Sequence, residues 1–152
     1  MARYVTTEQT DWDPESTFAY LAEFSSVADW DPSIEWCRLV DGAPRSVGAR
    51  YELELETLGR HTRMTYETVA IEAPRKVVLR SETGALVSLD TMTFEPRPGG
   101  GTAVTYDADL KLKGPLRLLD PLLRLAFGRI GDRAAAGLRE RLAGPRPDPV
   151  AA

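Results

Sequence analysis

A long amphipathic segment near the C-terminus constrains the fold more than any other feature of the chain. Residues 115–142 can form one helix, because apolar side chains recur along one face at helical spacing. Asp120 followed by Pro121 indicates a cap and a first-turn residue, so the main helix begins there or an earlier turn is kinked there. Such a helix needs a broad apolar surface to pack against. Its predicted inner face consists of Leu119, Leu123, Ala126, Phe127, Ile130, Ala134 and Leu138.

The preceding sequence contains the strands that could form this surface. Asp13-Pro14-Glu15 indicates the start of a first helix, and a second short helix is predicted over residues 26–30. Turn signals rich in Gly, Pro and Asp separate the remaining segments, and the short connections predict an antiparallel meander. The predicted strands are residues 3–9, 36–41, 49–57, 60–72, 76–82, 86–95 and 102–113.

Two hairpins allow the inner face of the sheet to be predicted. The turn at Leu58-Gly59 sets a register in which one face is apolar and the other carries opposite charges. Its apolar face holds the pairs Leu55–Thr62, Leu53–Met64 and Tyr51–Tyr66. Keeping the apolar residues of the last hairpin on one face pairs Phe94 with Val104 and Met92 with Tyr106.

The element order predicts an α+β fold with a curved seven-stranded antiparallel sheet wrapped around a long C-terminal helix. Two short helices follow the first strand. Residues 1–143 are expected to form a single domain, and residues 144–152 a disordered Pro-rich tail.

Composition excludes several classes of function. A net charge of -4 argues against general nucleic-acid binding. The chain contains one Cys and one His, so neither a metal site nor a cofactor is expected. The first residues lack an apolar signal region and no stretch could span a bilayer, so no integral membrane association is expected and the cytoplasm is the default location. The protein is expected to be a monomer or a homodimer.

Several sequence motifs resemble one known group of proteins. They are Asp13-Pro14-Glu15-Ser16-Thr17-Phe18, Trp30-Asp31-Pro32-Ser33-Ile34, residues 71–80 and Phe94-Glu95-Pro96 followed by residues 101–106. In this order they resemble the START-like helix-grip superfamily, also called the SRPBCC or polyketide cyclase/dehydrase-like group. The resemblance covers nearly the whole chain. It implies the helix-grip fold and an internal cavity for a hydrophobic small molecule, but its motifs are structural rather than catalytic.

Residues of mixed size on the predicted inner faces are compatible with an enclosed apolar cavity. A fully packed core with satisfied Tyr hydroxyls is the alternative, and the resemblance favours the cavity. The expected ligand is a lipid, an isoprenoid or a polyketide-like molecule. The predicted ligand-binding residues are Tyr51, Leu53, Met64, Tyr66, Met92, Phe94, Tyr106, Ala108, Leu123, Phe127 and Ile130.

Asp90 is the candidate for acid–base chemistry. Counting back from Phe94 places Asp90 and Ser88 on the inner face near Tyr106, where burial would raise the pKa of the carboxyl group. A β-bulge near Thr91 would instead turn Asp90 outward, and the sequence leaves both arrangements open. If Asp90 lies inside, Asp90 and Tyr106 are candidate catalytic residues of a polyketide cyclase or dehydratase.

Other reactive or unusual residues have plainer interpretations. His61 is predicted on the outer face opposite Glu56, and Cys37 is predicted to be a buried apolar residue rather than a nucleophile. The glycines of the long helix, Gly128, Gly131 and Gly137, suggest close packing, with a mobile segment over the cavity entrance as the alternative.

A second apolar stripe runs along the long helix away from its inner face. It consists of Leu118, Leu122 and Leu125. The first strand or a neighbouring loop is expected to cover this stripe. The alternative is a dimer contact or a lipid-facing patch.

Overall fold

The computed structural model describes residues 1–148. Seven strands precede one long helix, and two shorter helices lie between the first two strands. Short 3₁₀ turns at Phe24–Ser26 and Gly114–Leu119 precede α2 and α3. The strands are β1 (Ala2–Thr10), β2 (Ile34–Asp41), β3 (Arg50–Thr57), β4 (Arg60–Glu72), β5 (Lys76–Glu82), β6 (Leu86–Pro96) and β7 (Thr102–Leu112), and the helices are α1 (Pro14–Ala22), α2 (Val27–Trp30) and α3 (Asp120–Ala143).

The strands form one antiparallel sheet in the order β1-β7-β6-β5-β4-β3-β2. Each strand from β2 to β7 pairs with its neighbour in sequence, as a meander of short connections requires. β1 joins the other edge by pairing with β7. The predicted α+β class and seven-stranded sheet with a long C-terminal helix are confirmed.

The register of both predicted hairpins is also confirmed. In the first hairpin Leu53 lies opposite Met64, and in the last hairpin Met92 lies opposite Tyr106. Strand β6 keeps an unbroken register with β5 and with β7, so the alternative arrangement with a bulge near Thr91 does not occur. Asp90 therefore faces inward, and Leu89 remains 38% exposed on the outer face.

Helix α1 begins as its sequence predicts and fills one half of the space beneath the sheet. The Asp13 carboxylate accepts a hydrogen bond from the backbone N–H of Ser16 at 2.9 Å, and Pro14 occupies the first turn. Phe18 on this helix packs edge-on against Phe94, with ring centroids 5.5 Å apart. This half of the molecule is a closely packed core.

Helix α3 begins at Asp120, after the 3₁₀ turn, which confirms the alternative in which the main helix begins at this residue. Asp120 is not the cap, because its carboxylate instead binds the N-terminal ammonium of Met1 at 2.6 Å. Leu119 is 48% exposed, so its predicted place on the inner face is wrong. A 3₁₀ turn advances about 120° per residue instead of about 100°, which puts residues before Asp120 out of phase with the helix.

The second apolar stripe of α3 is not covered, contrary to expectation. Leu118, Leu122 and Leu125 are 85%, 67% and 61% exposed. Of the helix glycines, Gly131 lies against the ring of Tyr4 and Gly137 against the backbone carbonyl of Trp30. These two glycines therefore provide close packing.

The segment after α3 has no regular secondary structure over residues 144–148. The indole N–H of Trp12 donates to the Gly144 carbonyl at 3.1 Å, and Arg146 donates to Asp13 at 2.9 Å. Residues 149–152 of the predicted disordered tail lie outside the described residues. Over the described part of the chain, no helix is both long and apolar enough to cross a bilayer.

Candidate ligand-binding cavity

A cavity of about 360 Å³ lies between the sheet and the inner face of α3. Its walls come from β1, from the residues around α2, from strands β3, β4, β6 and β7, and from the helix. Both the size and the mostly apolar walls are typical of small-molecule sites. The lining includes Tyr4, Trp30, Asp31, Leu55, Met64, Tyr66, Leu86, Ser88, Asp90, Tyr106, Ala108, Leu110, Leu123, Ala126, Phe127, Ile130, Ala134 and Leu138.

Small residues on both walls leave this space open. Ala108 on β7 faces the cavity from the sheet, and Ala126 and Ala134 face it from α3. Larger side chains at these positions would fill the space between sheet and helix. The predicted mixture of large and small inner residues therefore produces a cavity on the α3 side of the molecule.

Seven of the eleven predicted ligand-binding residues line the cavity. They are Met64, Tyr66, Tyr106, Ala108, Leu123, Phe127 and Ile130. Their contact with a ligand remains a prediction.

The other four predicted ligand-binding residues lie in the packed core and outside the cavity wall. Tyr51, Leu53, Met92 and Phe94 are at most 1% exposed. The physical reason is that α1 and the turn after it cover this half of the sheet. Phe24 from that turn packs edge-on against Tyr51, with ring centroids 5.9 Å apart.

One polar cluster interrupts the apolar walls. The hydroxyl groups of Ser88 and Tyr106 both donate to the Asp90 carboxylate, the former at 3.0 Å. The Tyr66 hydroxyl donates to Ser88 at 3.1 Å, so a chain of hydroxyl groups ends at Asp90. Alternation along β6 places Ser88 and Asp90 on the same face, and the β6–β7 pairing brings Tyr106 beside them.

Burial dominates the titration of this cluster. It raises the pKa of Asp90 to about 6, although the hydrogen bonds from Tyr106 and Ser88 oppose that shift. Burial and the nearby Asp90 charge also raise the pKa of Tyr106 well above its ordinary value. The phenol therefore stays protonated, whereas the carboxyl group can exist in both forms near neutral pH.

Asp31 is a second carboxylate of the cavity and was missed from the sequence. Its Oδ1 accepts hydrogen bonds from the backbone N–H and the hydroxyl of Ser33, at 2.9 and 2.7 Å. Burial raises the pKa of Asp31, and its charge contributes to the raised pKa of Asp90. In the sequence, Asp31-Pro32 indicates the end of the second helix and gives no sign of a position in the cavity. Its position opposite β6 arises from the tertiary fold.

The other candidate reactive residues lie away from the cavity. His61 is on the outer face as predicted, and its Nδ1 lies 3.4 Å from Glu35. Glu35, Glu56 and His61 form an exposed trio whose ligand-type atoms lie within 4.8 Å of one another. Burial raises the pKa of the Cys37 thiol to about 12, so the thiol is unreactive at neutral pH.

A curved antiparallel sheet that encloses a cavity beneath a C-terminal helix defines the START-like helix-grip class. Within that class, the chain belongs to the family described as polyketide cyclase / dehydrase and lipid transport, whose model matches residues 1–143. The comparison with curated proteins gives no significant match.

Solved structures share this fold at low sequence identity. A START superfamily protein from Mycobacterium smegmatis is 15% identical with a TM-score of 0.76, and the match covers 93% of this chain and 97% of that one. The ZhuI aromatase/cyclase from Streptomyces sp. R1128 is 12% identical with a TM-score of 0.73, covering 92% and 90%. Ginseng major latex-like protein 151 from Panax ginseng is 18% identical with a TM-score of 0.58, covering 87% and 97%.

Proposed function

We infer that the protein binds a hydrophobic small molecule of the lipid, isoprenoid or polyketide class in the cavity beneath α3. The observation that carries this proposal is a cavity of about 360 Å³ with mostly apolar walls and two buried carboxyl groups, Asp90 and Asp31. Apolar walls provide affinity for a hydrophobic body, and a few fixed polar groups orient one end of a ligand. The Asp90–Tyr106 pair is the proposed contact for a ligand oxygen.

Two tryptophan variants test this binding proposal. Ala108→Trp places an indole ring in the cavity, whereas Val69→Trp places the same ring on β4 at a position that is 40% exposed. The neutral fluorophore N-phenylnaphthylamine should bind wild type and Val69→Trp and lose at least tenfold affinity in Ala108→Trp. Circular dichroism checks that all three proteins are folded.

Native mass spectrometry of the freshly purified protein complements the probe experiment. A copurified apolar molecule should be present in wild type and Val69→Trp and absent from Ala108→Trp. If Ala108→Trp is folded and binds the probe as tightly as wild type, the ligand site is not this cavity and the proposal fails.

An enzymatic function of the cyclase or dehydratase type is the second candidate. The observation that favours it is the buried Asp90 with a pKa of about 6, in direct hydrogen-bond contact with the protonated Tyr106. An acid or base works best when its pKa lies near the working pH. Asp90 would exchange a proton with the ligand, and Tyr106, which donates its hydroxyl hydrogen to Asp90, would hold the carboxyl group in position.

A comparison of binding with turnover separates the two functions. With a poly-β-carbonyl thioester as substrate, Asp90→Asn should abolish product formation while N-phenylnaphthylamine binds with wild-type affinity. Asp107→Asn, on the opposite face of β7, should retain turnover. Absence of product with the wild-type protein would contradict the enzymatic function and leave the binding function intact.

A further inference from the structure

The surface formed by the 3₁₀ turn and the first turns of α3 carries an unusual number of exposed leucines. We define it as the leucine patch, and its members are Leu116, Leu118, Leu119, Leu122 and Leu125. They are 38%, 85%, 48%, 67% and 61% exposed, respectively. Leu122 and Leu125 share one face of α3 at i, i+3 spacing, and Leu116, Leu118 and Leu119 lie on the 3₁₀ turn directly before this helix. A patch of this kind marks an interaction site.

The charges around the leucine patch are mainly positive. Residues 111–129 contain five cations, Lys111, Lys113, Arg117, Arg124 and Arg129, against the single acid Asp120. Lys113 pairs with Glu82 at 2.6 Å, which leaves four cations outside that pair. Asp120 is already paired with the N-terminal ammonium of Met1. The whole chain has a net charge of -4, so this end of the molecule is positive within an acidic protein.

This charge pattern discriminates between possible occupants of the leucine patch. A symmetric interface between two copies would bring the same cations toward one another, which is repulsive. Anionic lipid headgroups attract Lys and Arg side chains, and the acyl region beneath them accepts exposed leucines. An anionic membrane surface can therefore bind both the exposed leucines and the surrounding Lys and Arg side chains.

We propose that the leucine patch docks the protein onto anionic lipid membranes. The opposite face of the same helix contributes Leu123, Phe127 and Ile130 to the cavity wall. Docking would therefore place one wall of the cavity next to the bilayer. Leu58 lies at the β3–β4 turn, at the end of the sheet where β7 finishes, and is 94% exposed.

Vesicle cosedimentation tests the membrane proposal directly. The full chain should sediment with phosphatidylcholine vesicles that contain phosphatidylglycerol, and much less with pure phosphatidylcholine. Raising the salt concentration should release the protein, because the charge component is screened. Equal binding to both kinds of vesicle would overturn the proposal.

Paired variants locate the binding surface. Leu118→Ser/Leu122→Ser should reduce the affinity for anionic vesicles at least tenfold. The control Val40→Ser/Val47→Ser changes two residues at the opposite end of the sheet that are 49% and 63% exposed, and it should bind like wild type. Arg117→Glu/Arg129→Glu should weaken binding to anionic vesicles only. Wild-type vesicle affinity in the leucine variant would overturn the proposal.

Light scattering of the protein without vesicles tests whether a second copy of the chain covers the leucine patch instead. If a second copy covers the patch, wild type is a dimer, Leu118→Ser/Leu122→Ser is a monomer, and the vesicles leave the protein in solution. That result would overturn membrane docking. N-phenylnaphthylamine binding should be unchanged in the leucine variant, so failure of this proposal is distinguishable from failure of the ligand-binding function.

Discussion

Asp90 is a buried carboxylate, and the described residues that donate hydrogen bonds to it do so through hydroxyl groups. Ser88 and Tyr106 donate to it directly, and Tyr66 acts through Ser88. None of the described residues that line the cavity is Lys, Arg or His, so no cation compensates the charge. Desolvation therefore outweighs the hydrogen bonds, and the carboxyl group is held near the point at which it gains or loses a proton.

The pH dependence of stability should reveal this buried carboxyl group. The pKa of Asp90 rises from 3.8 to about 6 on folding, so between these values the folded protein binds more protons than the unfolded one. The contribution of Asp90 to stability should therefore fall as the pH rises through this range. This rise in pKa corresponds to about 3 kcal/mol of stability lost between low and neutral pH. Urea unfolding of wild type and Asp90→Asn at several pH values between about 4 and 7 measures how their difference in free energy of unfolding changes with pH.

Asp107→Asn provides a control of opposite sign. The hydrogen bond and charge of Arg3 lower the pKa of Asp107, so its ionised form stabilises the folded protein above its ordinary pKa. That contribution should disappear as the pH falls through the lowered pKa. Difference curves of the same sign for the two variants would contradict the inward, desolvated position of Asp90.

Strand parity indicated an inward Asp90 only if β6 contains no bulge, and the sequence could not exclude one. A β-bulge inserts one residue without a fixed sequence signature, so Asp90 could be inside or outside until the pairing was known. Asp31 could not be predicted at all, because its approach to Asp90 depends on how α2 packs. The sequence therefore contains both carboxyl groups but does not indicate that Asp31 and Asp90 line the same cavity.

At the level of elements, α3 shows where periodicity stops being informative. The apolar spacing predicted the inner face from Leu123 to Leu138, and these residues line the cavity. It failed at Leu119 because Pro115 is compatible with the first turn of either an α-helix or a 3₁₀-helix. The apolar spacing also did not predict that the second stripe would be exposed. Whether a stripe is covered depends on the neighbouring elements and not on the helix itself.

The helix glycines provide a test of packing along α3. A Cβ at Gly128 would meet nothing within 4 Å, so Gly128→Ala should stabilise the protein by up to about 1 kcal/mol through helix propensity. A Cβ at Gly137 would collide with the backbone carbonyl of Trp30, so Gly137→Ala should be destabilising. Thermal unfolding measures both. Equal stabilisation by the two substitutions would contradict the contact between α3 and α2.

Leucine truncations test the rotation of the same helix. Leu138 is 0% exposed, so Leu138→Ala should lower the free energy of unfolding by about 2–5 kcal/mol. Leu122 is 67% exposed, and Leu122→Ala should change the free energy of unfolding by less than about 0.5 kcal/mol. Urea unfolding of the two variants provides the comparison. Similar losses would mean that the helix presents a different face to the sheet.

The whole molecule has one packed half and one open half beneath the same sheet. Strands β3, β4, β6 and β7 contribute inward-facing side chains to both halves. The alternation of inward and outward residues along these strands therefore does not distinguish the packed half from the open half. The packed half is closed by Phe18 and Phe24, whereas small residues on α3 leave the other half open. The sequence therefore predicted that a cavity was feasible, but its boundary depended on where the first helices pack.

Occupation of the open half should stabilise the whole fold. A ligand that binds only the folded state adds about 2.7 kcal/mol at a free concentration of one hundred times its dissociation constant. For a domain of this size that corresponds to an increase of about 5–10 °C in the unfolding midpoint. Differential scanning fluorimetry, read from intrinsic tryptophan emission, should show this increase with N-phenylnaphthylamine for wild type and Val69→Trp. Ala108→Trp should unfold at a midpoint independent of the probe, and an equal increase in that variant would mean that the stabilising site lies outside the cavity.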